Sequence, residues 1–278
     1  MAISHPDAGV AELAEAWGSL CRLARSVDEP SCSRPTACAG WTVKDQFSHL
    51  IGTELLQEGA PVPPPVATVA DHVRNPAGEV NERFVEARRP VAARAVVDEL
   101  CELLSRRLAA VADLEHEARA MPTPDGSVGL APYVDYLSQR SFESFVHEQD
   151  VRHALGRPGG RGGAVERAVL DRLEASMPFV LGRRVAPPPG TTLRIEVTGT
   201  HARSSQLVVV RDGAGVRARA IEVLGAPPTA TIYLDEEVFV RRACGRLTAT
   251  AALRRPSTSL GGDRELGHAF VEQMVVVD

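Results

Sequence analysis

The sequence predicts an α+β protein in which a four-helix bundle precedes a small mixed domain. Apolar residues recur at three- and four-residue steps through most of the first 185 residues, the mark of amphipathic helices. After the proline run "VAPPPG" the chain changes to short stretches rich in β-branched residues, separated by turn signals. Length agrees, since 278 residues are many for one core and comfortable for two. The expected domains are residues 1–185 and 186–278.

In "AGVAELAEAWGSLCRLARSV", Leu13, Trp17, Leu20 and Leu23 form one helical stripe. The loop "DEPSCSRPTACAG" interrupts it. "WTVKDQFSHLIGTELLQ" then restarts the period, with Thr42 placed as N-cap and Asp45 three residues on, close to a capping box. This helix carries His49. A proline-rich loop, "GAPVPPPVATVAD", leads to a helical segment over Glu79 to Arg89. Another runs from Ala92 to about Ala120, with Val96, Leu100, Leu103, Leu104, Leu108 and Val111 on its stripe. "MPTPDGSVG" ends it, and "LAPYVDYLSQRSFESFVHEQDVRHALG" is the fourth long helix, with Gly156 as its C-cap. "AVERAVLDRLEASMPFVLGRR" is a further helix with a face to pack against the bundle. Beyond the prolines, "TTLRIEVTG", "SSQLVVVRDG", "RARAIEVLG" and "ATIYLDEEVFVRRACG" carry the strand signals, Asp212-Gly213 is a turn, and "DRELGHAFVEQMVV" closes the chain as a helix.

A net charge of -5 gives no electrostatic reason to expect nucleic acid or an anionic membrane as partner. The basic residues are almost all Arg, with Lys44 the exception, and Ala, Gly and Pro abound, as expected from a GC-rich bacterial genome. Five cysteines, odd in number and without a C-x-x-C pair, fit reduced thiols in a cytosol better than a disulfide framework. The start lacks a basic region followed by an apolar run, and no stretch reaches a membrane span. A cytoplasmic protein, monomer or homodimer, is expected.

The stretch "SFESFVHEQDVRHAL" holds the main chemical candidates. Glu143 and His147 are four residues apart, so on a helix both side chains reach the same ion. A third ligand from another helix would complete a catalytic zinc pattern, and His49 is the best placed. The same spacing also occurs on solvated helix faces. Phe142, Phe145 and Val146 put the pair near the buried side, where an unpaired carboxylate costs several kcal/mol. Asp150 fits either a partner that orients a ligand or a surface residue. Glu148, Arg152 and His153 read as surface. His147-Glu148 does not extend to H-E-x-x-H, because position 151 is Val, and Cys38 has no His at a telling spacing.

"CAGWTVKDQFSHLIGTE" resembles the first signature of the mycothiol-dependent maleylpyruvate isomerase family, "FESFVHEQDVRHALGRP" its second, and "RNPAGEVNERFVEAR" the segment between them. The resemblance implies a DinB-like bundle with a metal at its heart, followed by a sterol-carrier-protein-like domain. It implies His49, Glu143 and His147 as ligands of Zn2+ or another divalent metal, and mycothiol as thiol cosubstrate. It also implies two arginines at the site, for which Arg83 and Arg264 are the nearest matches, with Arg74, Arg246 and Arg255 as competitors. The implied partners are a small-molecule thiol and an electrophilic substrate. The implied activity is either isomerisation of a maleyl-type double bond or transfer of the thiol to an electrophile. The alternatives are a non-catalytic binding or sensor module with a structural metal and, last, a hydrolase using metal-bound water. The prolines at Pro61 to Pro65 and the stretch "RRPSTSLGGD" depart from the family and bear on substrate choice.

Overall fold

Thr42 begins a helix as its position predicts. Its hydroxyl accepts from the Asp45 amide while the Asp45 carboxylate accepts from the Thr42 amide at 2.8 Å, a complete capping box. The computed structural model describes residues 6–65, 71–112, 119–122, 128–131, 133–213, 215–223 and 225–277. Its helices are α1 (Pro6–Arg25), α2 (Glu29–Cys32), α3 (Val43–Gln57), α4 (Pro76–Glu86), α5 (Ala93–Ala112), α6 (Tyr133–Leu155), α7 (Ala164–Phe179), α8 (Glu236–Ala243), α9 (Ala249–Leu253) and α10 (Arg264–Gln273). Two compact units divide between Val165 and Glu166. No helix among the described residues is long and apolar enough to cross a membrane.

In the first unit α1 packs on α5 and α6, and α3 packs on α5 and α6, which closes a four-helix bundle. Leu13, Leu20, Phe47, Ile51, Leu100, Leu103 and Leu137 form its centre, so the stripes read from the sequence face inward. Each such side chain stabilises the fold by about 1.5–3 kcal/mol. At the C-terminus of α6, Gly156 takes a φ of 65°, and the Arg157 amide donates to the Arg152 carbonyl at 2.9 Å, closing the last turn.

One departure from simple amphipathicity positions the site. α4 lies over the outer side of α3, and Gly52 makes the approach possible, because a Cβ there would stand 2.5 Å from the Phe84 Cβ. With that roof in place α3 is buried on every side from Asp45 to Glu54, including His49, Thr53 and Glu54. Its polar residues must therefore find partners inside the protein.

The helix expected to run to about Ala120 gives way to a strand, β1 (Arg119–Pro122), paired antiparallel with β2 (Val128–Ala131) in the register Arg119↔Ala131. The apolar stripe ends near Val111, and "EHEARA" offers no apolar side chain larger than alanine to carry a helix face further. Residues 113–118 and 123–127, parts of that helix and of the expected "MPTPDGSVG" break, lie outside the described residues.

In the second unit β3 (Thr192–Thr198), β4 (Arg203–Asp212), β5 (Gly215–Ile221), β6 (Ala230–Asp235) and β7 (Ser259–Gly262) form a sheet of order β5-β4-β3-β6-β7. All neighbours are antiparallel except β3 and β6. Leu193, Ile195 and Val197 alternate inward, and α8 and α10 cover the sheet with Phe239, Phe270 and Val271. The segment "ATIYLDEEVFVRRACG" is both strand and helix. Asp235 ends β6 and caps α8, its carboxylate accepting from the Val238 amide at 2.7 Å. The stretch "RRPSTSLGGD" holds the edge strand β7. The sequence places the domain boundary at 185/186, whereas most of α7 goes with the second unit. Arg203 on β4 pairs with Asp171 at 2.6 Å and Glu174 at 3.1 Å, and Ser205 donates to Glu174. A proline run marks where regular structure stops, not where packing changes partner.

Candidate metal centre

α3 and α6 bring His49 and His147 together in the bundle interior. Their rings meet edge to face with centroids 4.6 Å apart, and the residues are 6% and 7% exposed. Trp41, in the loop before α3, closes one side at 4.9 Å from the His49 ring and 6.3 Å from the His147 ring. Its indole N–H donates to Glu82 on α4 at 2.8 Å.

A relay of hydrogen bonds sets the tautomer of His147. The Thr36 hydroxyl donates to the Trp41 carbonyl at 2.9 Å, so towards Gln46 it can only accept, which it does from Nε2 at 2.7 Å. That fixes the Gln46 amide with Oε1 facing His147 Nδ1 at 2.5 Å, and Nδ1 therefore carries the proton. The lone pair is left on Nε2, the arrangement in which an imidazole ligates a metal while its other nitrogen is held.

Glu143, one turn before His147, has its Oε2 2.7 Å from Arg140 and its Oε1 2.9 Å from the Gln139 amide. Burial opposes its charge, but the Arg140 guanidinium foremost, with the Gln139 hydrogen bond, outweighs that and holds the carboxyl below its usual range. Two buried imidazoles and a carboxylate are donor types that suit Zn2+ and similar divalent ions, but the ligand atoms of His49, Glu143 and His147 do not all lie within 4.8 Å of one another, and Glu143 is turned to Arg140 and Gln139.

Among the described residues, the one set of three donors within 4.8 Å of one another is Cys38, His147 and Asp150. The Asp150 carboxylate accepts from the Cys38 thiol at 3.3 Å and lies 3.5 Å from His147 Nδ1. Because Nδ1 bears the proton given to Gln46, we read this set as support for the ring. Asp150, left between two roles by the sequence, is 4% exposed, which rules out the surface reading.

A second charged cluster adjoins the first. Arg140 NH1 is 3.5 Å from Glu54, which also receives Arg107 Nε at 3.2 Å, while Arg107 donates to the Tyr136 hydroxyl at 2.6 Å. Burial pushes the Glu54 carboxyl up against the pull of both arginines, and pushes the Tyr136 hydroxyl up to about 12. Sequence reasoning missed Arg140 and Glu54 and set Cys38 aside. Arg140 and Glu143, at i and i+3, carried a usable signal, but Cys38 and Asp150 are too far apart in the chain for spacing to join them.

The remaining expected residues lie elsewhere. Arg83 is half-buried on α4, its guanidinium donating to the Pro63 carbonyl. Arg264 is the exposed first residue of α10 in the second unit. Glu148, expected at the surface, is 1% exposed and accepts from Ser19 and Arg152, each at 2.7 Å. The helix face away from His147 is covered by α1, which periodicity on α6 alone cannot reveal. His153 is exposed as expected.

No curated protein matches the chain. A crystal structure of the mycothiol-dependent maleylpyruvate isomerase resembles it with a TM-score of 0.56 at 13% identity, covering 92% of this chain and 93% of that one. A histidine-to-alanine mutant of the same enzyme gives 0.53 at 13% identity, covering 92% and 96%. At such identity the likeness concerns the fold. The family described as mycothiol maleylpyruvate isomerase N-terminal domain matches residues 13–152, about half of the chain and the whole of the site just built. The chain belongs to that family.

Proposed function

We propose that His49, Glu143 and His147 hold a divalent metal, Zn2+ foremost, and that the protein uses mycothiol to isomerise a maleyl-type double bond by thiolate addition and elimination. The observation that carries this reading is the buried edge-to-face pair of His49 and His147, with Glu143 one turn before His147 on the same helix, inside the family's matched span. A divalent cation bound there supplies the charge that keeps a thiol ionised near neutral pH.

The protein's own groups do the rest. Gln46 and Asp150 hold the His147 ring so that Nε2 is the ligating atom. Trp41 walls off one side of the imidazoles and restricts water there. Arg140 is the buried cation nearest to Glu143, suited to a substrate carboxylate or a developing enolate. Arg83 and Arg264 are the further candidates for that charge. If addition is not followed by elimination, the same residues give a thiol S-transferase. The odd, unpaired cysteine spacing favours the cytoplasm as the compartment.

Purified protein is expected to carry about one equivalent of divalent metal, as a three-ligand site holds. With mycothiol and a maleyl substrate it should release the trans isomer, and His147→Ala should lose both metal and turnover. A retained thioether product would assign the transferase branch. Full activity of metal-free wild type would sink the proposal.

A further inference from the structure

Two thiols outside the metal centre face each other across the seam between α1 and α5. Cys21 is half-buried and Cys101 4% exposed, and the Cys101 thiol donates to the Cys21 carbonyl at 3.9 Å. Neither is in a disulfide. Leu20, Ala24, Val97 and Leu100 fix both backbones in the core on either side, so the sulfurs are held together by the fold. The outer rim is cationic, with the exposed Arg22, Arg25 and Arg94 near the pair.

We propose that Cys21 and Cys101 form a dithiol modification site that a low-molecular-weight disulfide converts to a disulfide between α1 and α5. Burial disfavours a thiolate at either sulfur, while the charges of Arg25 and Arg22 favour it at Cys21 and those of Arg25 and Arg94 at Cys101. Exposure assigns the order of events. The Cys21 sulfur, the accessible one, attacks a sulfur of the disulfide RS–SR, forming Cys21–S–SR and releasing one RS–, which takes up the proton lost from the pair. Cys101 then attacks the Cys21 sulfur, forming the Cys21–Cys101 bond and releasing the second thiolate, which takes up the remaining proton. Two protein thiols are oxidised and one RS–SR is reduced to two RSH.

Spacing supports the choice of partner. Among the described residues Cys38 is engaged with Asp150, while Cys32 and Cys244 are buried. The site is independent of the proposed metal ligands, and it stands whether the enzyme isomerises or transfers.

The test uses 2-hydroxyethyl disulfide on the full-length protein, followed by alkylation of the remaining thiols under denaturing conditions and peptide mass mapping. Wild type should lose two alkylatable thiols, lose the mass of two hydrogens, retain no hydroxyethyl adduct and yield a linked Cys21–Cys101 peptide. Cys101→Ser should instead accumulate the hydroxyethyl adduct on Cys21, and Cys21→Ser should form no link. Cys101→Ala serves as a second variant, with helical circular dichroism confirming that each is folded. A stable adduct on Cys21 in wild type, or a link through any other cysteine, overturns the proposal.

Discussion

The two units bury different things. The sheet unit closes over Phe239, Phe270, Val271, Leu193 and Ile195; it also buries Glu166, and its buried Arg242 and Glu236 bind backbone, Arg242 the carbonyls of Val271, Glu272 and Leu247 and Glu236 the amides of Thr200 and His201. The bundle buries Glu54, Arg107, Arg140, His49, His147, Glu148 and Asp150. Ionised groups inside a protein cost several kcal/mol each unless paired, so a fold does not collect them for stability. The contrast is one of kind: side chains pair with side chains in the bundle interior, and with backbone in the sheet unit.

The sharpest way to break that contrast is to cut into each interior. Phe270→Ala should cost about 3–5 kcal/mol of stability, read by denaturant unfolding, through the lost contacts and the cavity left behind. Glu54→Ala should cost about as much, because Arg107 and Arg140 would lose a buried partner. The difference emerges on repair. Glu54→Leu/Arg107→Leu should recover most of the second loss, since apolar packing replaces a buried pair at little or no cost. If the double variant is no better than Glu54→Ala, the charges stabilise the bundle after all and the comparison fails.

A smaller effect separates ligand from support. Gln46→Leu should weaken metal affinity by about 10- to 100-fold, measured by chelator competition, because His147 loses the partner that fixes its tautomer. Unchanged affinity would show the amide to be mere packing.

The smallest effect concerns pH. Burial works against the charge of Glu82, but hydrogen bonds from Trp41 and His72 and the charge of Arg89 hold its carboxyl below the ordinary 4.5. A carboxyl lowered on folding contributes stability in full above its unfolded pKa and loses it as pH falls through the lower, folded value. Glu82→Gln should therefore flatten the acid side of the stability profile while leaving the alkaline side unchanged. An equally steep acid side in the variant would assign the acid sensitivity to other carboxylates.

How far the sequence reached depends on the kind of signal. The stripes of α1, α3 and α5, the Thr42 cap and the Gly156 closure are local, and each lies within a few residues of its cause. The helix end near Ala112 and the hairpin after it were illegible, because no periodic pattern distinguishes a short strand in a charged, proline-containing stretch. Glu143 and His147 could be paired from their spacing, and His49 joined them through the family's frame.

Residues close together in the chain suffice to make the N-terminal part helical, to give the C-terminal part its strands, and to put a Glu and a His on one helix face. Propensity, capping and periodicity are properties of neighbours along the chain. Packing between helices is what puts Arg107 on Glu54, Gln46 against His147, and Cys21 next to Cys101. Those pairings depend on helices that lie far apart in sequence, brought together by burial of the apolar stripes between them.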